Sequence, residues 1–322
     1  MIETLFIIGN GFDCYCHEMK TKYSDFREHV LRLYPESKEY AGVPEMTMTL
    51  DHHDYAYNKK DIAVYIVHIM DQCQGEEWSN LESALGSDIF DEFEDEFEYI
   101  NWNDENDSSI FTSLNNNQEI GRAIGYTFYE IKQLFYDWIE TDLANIVYEN
   151  IHAQPVFKDI LTGKAISTQQ DAIGYIDFNY TYTLERVYGI SNNQVWNIHG
   201  KVGDDIENIY FGHGNENLDF EEDKAWGEKD TFPLLAEKLK KNTSQVIANN
   251  ISRFEKYAGI KCIYSSGFSF SDVDMVYIEK LCEYINPQNV TWYFNTYDAA
   301  ENSKYLDKIK KLGFDIAVEN RW

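Results

Sequence analysis

Leu5-Phe6-Ile7-Ile8-Gly9-Asn10-Gly11-Phe12-Asp13 is the stretch that decides the fold. Four apolar residues stopped by glycine read as a strand buried on both faces, followed by a tight turn. Comparable runs recur at Ile173–Phe178, Val195–Ile198, Ile209–Phe211, Cys262–Ser265, Val290–Phe294 and Asp315–Val318. Helical patterns at 232–257, 272–285 and 299–312 separate several of them. Strands alternating with helices specify an α/β, Rossmann-like fold with a mainly parallel sheet covered on both faces.

Between the first strand and the second the texture changes. Residues 21–34, 59–74, 78–99 and 118–150 read as helices, a large helical insertion into the sheet domain. Within 88–102, Ile89, Phe90, Phe93, Phe97 and Ile100 recur at spacings of three and four among acids. That is one apolar stripe on an acidic helix, the pattern of core packing. The polar run at 101–117, with Asn115-Asn116-Asn117, predicts an exposed loop.

A chain of 322 residues with 24 Tyr and 19 Phe can bury a sizeable core without staples. Its formal charge of −29, from 56 acids against 27 bases, repels phosphate backbones and anionic membrane surfaces. No direct nucleic-acid or membrane partner is expected; an acidic face suits a basic partner protein. The opening Met1-Ile2-Glu3 predicts no secretory leader, and no apolar run is long enough to span a bilayer. Five cysteines without a CxxC fit the thiols of a reducing, cytoplasmic compartment.

Four segments are candidates to carry chemistry. Gly9 and Gly11 let the backbone turn sharply and bring N–H groups near a phosphate, while Asp13 suits a ribose hydroxyl or a cap. Cys14 stands where a dinucleotide fingerprint wants a third small residue, so an ordinary strand-to-helix turn reads equally well. Asn179 and Thr181 follow the strand at Ile173–Phe178, where open α/β sheets bind ligands; a turn at Asn179 and a cap at Thr181 or Thr183 is the alternative. His199 before Gly200 fits a general base or a satisfied structural histidine, and Phe211-Gly212-His213-Gly214 repeats that choice. Gly267 and Ser269 allow close approach to a nucleotide; Ser271 or Asp272 caps the next helix, with Asp274 in its first turn. Asp51-His52-His53-Asp54 has metal-ligand residue types, but consecutive residues seldom converge on one ion, so a solvated loop and no metal is expected. Glu221-Glu222-Asp223 reads as exposed surface.

In this order, Ile7-Ile8-Gly9-Asn10-Gly11-Phe12-Asp13, Thr21-Lys22-Tyr23-Ser24-Asp25-Phe26, Trp78-Ser79-Asn80-Leu81-Glu82, Phe178-Asn179-Tyr180-Thr181-Tyr182-Thr183-Leu184, Ile198-His199-Gly200 and Gly267-Phe268-Ser269 with Asp274 resemble the AbiH abortive-infection family. One departure stands out: His17 and Glu18 occupy the region where the family usually carries glycine. That family in turn resembles the sirtuin superfamily. The resemblance implies a sirtuin-like nucleotide-binding core of residues 1–20 and 165–322, with 21–164 as the helical insertion. It implies an antiphage effector cleaving NAD at the nicotinamide–ribose bond, with Asn179 and His199 catalytic. Gly9, Asn10, Gly11, Phe12, Asp13, Thr181, Gly267, Ser269 and Asp274 would then contact the nucleotide. Without the paired CxxC motifs of a four-cysteine zinc site, a sirtuin-type deacylase is disfavoured. Two other readings stay open: a non-catalytic NAD or ADP-ribose sensor, and a partner-binding subunit whose acidic helices carry the function and whose pocket is vestigial, with a homo-oligomer or a defence-system protein as the expected partner.

Overall fold

A computed structural model of the protein describes residues 1–38, 42–48, 55–103, 110–166, 168–215, 218, 220, 226–295 and 302–319. The segments Asp51-His52-His53-Asp54 and Glu221-Glu222-Asp223 lie outside the described residues. The strands are β1 (Thr4–Ile8), β2 (Met46–Met48), β3 (Tyr55–Tyr57), β4 (Ile173–Asp177), β5 (Val195–Asn197), β6 (Cys262–Ser266), β7 (Thr291–Asn295) and β8 (Ile316–Glu319). The chain divides into two compact units, one of residues 1–21, 139–210 and 242–322, the other of 22–138 and 211–241.

In the first unit six strands among the described residues form a sheet in the order β5-β4-β1-β6-β7-β8, every neighbouring pair parallel. Numbered within this sheet alone, the order is 3-2-1-4-5-6, that of dinucleotide-binding α/β folds. The continuous apolar runs follow from burial on both faces. Leu5, Ile7, Ile176, Trp196, Ile263, Trp292 and Phe294 enter one core. Phe6, Ile8, Tyr175, Val195 and Tyr264 enter the other. On that second face the register aligns Tyr175, Phe6, Tyr264 and Tyr293 into a ladder of stacked rings, with centroids 5.4, 5.2 and 4.6 Å apart. Each cross-strand pair of this kind adds roughly 0.2–1 kcal/mol.

The second unit is mainly helical, with β2 and β3 paired antiparallel. The helix Lys59–Gln74 begins where the Asn58 side chain accepts the Lys60 N–H and ends at Gly75, φ +60°. Its apolar face buries Ile62, Ile66, Ile69 and Met70. Phe26 packs on Trp78, Phe135 and Trp138 at 5.3–5.7 Å, and Phe93 packs on Tyr65, Phe128 and Phe232. Ile89, Phe90 and Phe93, three of the five residues of the acidic helix's stripe, are core residues, as the spacing predicts; the side chains of Phe97 and Ile100 lie outside the described ones.

Three expectations are corrected. Ile209–Phe211 is no strand; Tyr210 N–H reaches the His199 carbonyl at 2.9 Å, but no ladder follows. The span 78–99 is two helices, Leu81–Ala84 and Asp88–Asn103, interrupted around Gly86. The loop expected at 101–117 is shorter, because the helix Asp88–Asn103 runs into it and the helix Ile110–Tyr129 starts within it. Asparagine's low helix propensity is a weak preference, and the buried Ala123, Ile124 and Phe128 of the same helix outweigh it. Among the described residues no helix is long and apolar enough to cross a membrane.

Candidate functional site

The register brings Ile8, Asp177, Asn197 and Ser266 into one row at the carboxyl ends of β1, β4, β5 and β6. Asn179 and His199 each lie two residues beyond that row, just after the adjacent strands β4 and β5. The Asn197 side-chain amide donates to the Asn179 carbonyl at 3.3 Å, tying the two strand ends together. Ligands of open parallel sheets bind at this edge, outside the strand carboxyl ends.

Asn179 is 3% exposed. Its Nδ2 donates to the Gly9 carbonyl at 3.3 Å, and its backbone N–H donates to Asp177 Oδ1 at 3.0 Å. Asp177 is therefore the side chain that folds the turn, the role that the alternative reading of the sequence gives to Asn179. Thr181 Oγ1 donates to Asp13 Oδ2 at 2.5 Å and lies 3.1 Å from Thr183 Oγ1. The short helix after it starts at Thr183 with no side-chain cap, so these threonines serve Asp13 rather than the helix end.

Asp13 and Asp177 are fully buried. Burial pushes Asp13 up to about 6, against the pull of its bonds from Thr181 and Thr183. Burial, reinforced by the charge of Asp13, lifts Asp177 well above the usual carboxylate range. Glu185, also raised by burial, faces Lys201 at 3.7 Å. Among the described residues Asp13 Oδ1, Asp177 Oδ2, Asn179 Oδ1 and Ser266 Oγ have no hydrogen-bond partner. The importance of Asp177 and Glu185 was not read from the sequence. The one available signal was an acid closing the apolar run Tyr175-Ile176-Asp177.

His199 is 4% exposed, its ring edge-on to Phe178 at 5.1 Å. Its Nε2 lies 3.1 Å from Asp274 Oδ1. Ser271 occupies the N-cap of the helix Asp272–Cys282, but its hydroxyl donates to Asp274 Oδ2 at 3.0 Å instead of capping a backbone N–H. His213 lies in the other unit and is structural: Nε2–H donates to the Ala236 carbonyl at 2.8 Å while Nδ1 accepts the Asn215 N–H at 3.2 Å. Burial lowers its pKa, as befits a neutral ring.

The glycines do something other than present amides. Gly9 N–H donates to the Ser266 carbonyl, Gly11 N–H to that of Gly267, each at 3.0 Å, and Phe12 N–H to that of Gly9 at 2.9 Å. A Cβ on Gly9 would lie 2.5 Å from the Gly267 oxygen, and one on Gly267 would lie 2.0 Å from the Phe12 nitrogen. Glycine is thus required for two backbones to touch. Phe12 is core, packed on His17, Phe157 and Tyr188. Asn10 and Ser269 are exposed, and Asn10 Nδ2 donates to the Thr21 carbonyl at 2.8 Å. Glu18, in the region where glycine is usual, holds φ +54°.

The motif Trp78-Ser79-Asn80-Leu81-Glu82 is structural within the helical unit. Trp78 Nε1 donates to Asp71 Oδ1 at 2.8 Å, and Asp71 is clamped by Arg27 through two bonds of 2.7 Å. Glu82 pairs with the buried Lys241 at 2.8 Å. Among the described residues no three His, Cys, Asp or Glu side chains form a metal-binding set.

A sheet in dinucleotide-fold order, with amide, imidazole and carboxylate groups following its carboxyl edge, defines a Rossmann-like α/β protein with a candidate site at that edge. The family model described as bacteriophage abortive infection AbiH matches residues 5–296, and the chain belongs to that family. No curated protein and no solved structure matches the chain.

Proposed function

We propose that the protein is an abortive-infection effector that hydrolyses NAD at the nicotinamide–ribose bond, its site being sirtuin-like. The observation that supports this reading is the pairing of β4 with β5, since Asn179 and His199 follow the adjacent carboxyl ends of these two strands. Breaking that bond passes through an oxocarbenium-like state, as other glycosyl cleavages do. The electron pair of the C1′–N bond leaves with nicotinamide, which departs neutral and needs no strong acid. Asn179 Oδ1, without a partner among the described residues, can hold a ribose hydroxyl or the attacking water. His199 takes the proton that the water loses as it adds to C1′. Gly9, Gly11 and Gly267 contribute by letting the ends of β1 and β6 close on each other, with the Gly9 and Gly11 amides spent on backbone bonds. Exposed Asn10 and Ser269 are the polar groups suited to the outer parts of the nucleotide.

Asn179→Ala and His199→Ala are each expected to abolish NAD cleavage while the circular dichroism spectrum is kept. Cleavage that survives both substitutions overturns the proposal. The near-complete burial of both side chains favours, as a second reading, a non-catalytic NAD or ADP-ribose sensor. Saturable binding of ADP-ribose without nicotinamide release identifies that case.

A further inference from the structure

We propose that Asp274 is a positioning residue for this reaction, holding His199 as the tautomer whose Nδ1 accepts the proton. The inference rests on the NAD-cleaving reading above. The contact is specific: His199 Nε2 faces Asp274 Oδ1 at 3.1 Å, and Ser271 fixes the other carboxylate oxygen at 3.0 Å. A ring nitrogen beside a carboxylate carries the hydrogen, and in a neutral imidazole the other nitrogen then carries the lone pair.

The neighbours keep that orientation. Phe178 meets the ring at 87°, and Tyr277 lies 5.9 Å away on the helix that bears Asp274. The turn leading to Ser271 is itself constrained. Phe270 holds φ +54°, uncommon for a bulky residue, and is kept there by Tyr305 at 4.8 Å and by Lys308, whose Nζ donates to its carbonyl at 2.6 Å. During the step, the water oxygen bonds to C1′ and its proton moves to His199 Nδ1. Asp274 then stabilises the resulting imidazolium until the proton passes to solvent, the part an aspartate plays in hydrolytic triads.

The test reads the ring directly. The whole chain is labelled with ¹⁵N-histidine, and the His199 signals are identified by their loss in His199→Gln. A protonated Nε2 and an unprotonated Nδ1 are expected in the unaltered protein, with that preference lost in Asp274→Asn. For NAD cleavage, Asp274→Asn is expected to lower kcat by on the order of 10²–10³-fold with KM little changed. Ser271→Ala, which keeps the carboxylate, should move both readouts less and in the same direction, and decides the matter if the Asn variant does not fold. A protonated Nδ1, a tautomer indifferent to both substitutions, or a rise in KM with kcat intact overturns the proposal. If no NAD is cleaved at all, the reading above fails, while the tautomer still reports on Asp274.

Discussion

Replacing Gly267 by alanine probes the closest approach in the sheet unit. At φ +66° an L-residue is strained by about 1–2 kcal/mol. The added Cβ would lie 2.0 Å from the Phe12 nitrogen and 2.5 Å from the Gly11 carbonyl carbon, both backbone atoms that cannot swing aside. Relief requires the ends of β1 and β6 to part, stretching the bonds from Gly9 and Gly11 to Ser266 and Gly267. At about 1 kcal/mol per bond, the total reaches roughly 3–4 kcal/mol before any repacking. Gly189 is the control, because φ is +71° there too but nothing lies within 4 Å of an added Cβ. Gly189→Ala should cost only about 1–2 kcal/mol. Urea unfolding of both variants, followed by far-ultraviolet circular dichroism, gives the comparison. Equal losses would refute the claim that the glycine turn is packed backbone to backbone, and would reopen it as a set of amides directed at phosphate.

Other consequences are as direct. With Asp13 at about 6 rather than 3.8, the folded state binds its proton more tightly, so stability falls as pH rises between about 4 and 6. Asp13→Asn should flatten that fall by up to about 3 kcal/mol, and urea midpoints at pH 4 and pH 7 that differ as in the unaltered protein would contradict it. Glu18→Gly relieves a left-handed conformation on an exposed side chain and should gain about 0.5–1 kcal/mol in the same assay. Lys241→Met strands Glu82 without its buried partner and should cost about 3–5 kcal/mol, whereas Glu82→Gln with Lys241→Met should recover much of that loss.

The sheet was legible because its strands are buried on both faces, so runs such as Leu5–Ile8 and Cys262–Ser265 are apolar throughout and stop at glycine or serine. Ile209–Phe211 has the same composition but lacks strand pairing, which no local pattern reports. Gly9, Gly11 and Gly267 were legible as places of close approach, but not what approaches them. Gly267 lies far along the chain from Gly11, and only the β1–β6 register brings them together. The same holds for His199 and Asp274, whose contact depends on the order of strands. Asp177 escaped notice because an acid at a strand end has the composition of a turn, and its burial is a tertiary property.

Nicotinamide and ADP-ribose release from NAD, followed by chromatography with and without phage lysate, tests the central claim most directly. The account predicts release by the unaltered protein that disappears in His199→Ala and Asn179→Ala. No release under either condition, or release that both variants retain, would contradict it.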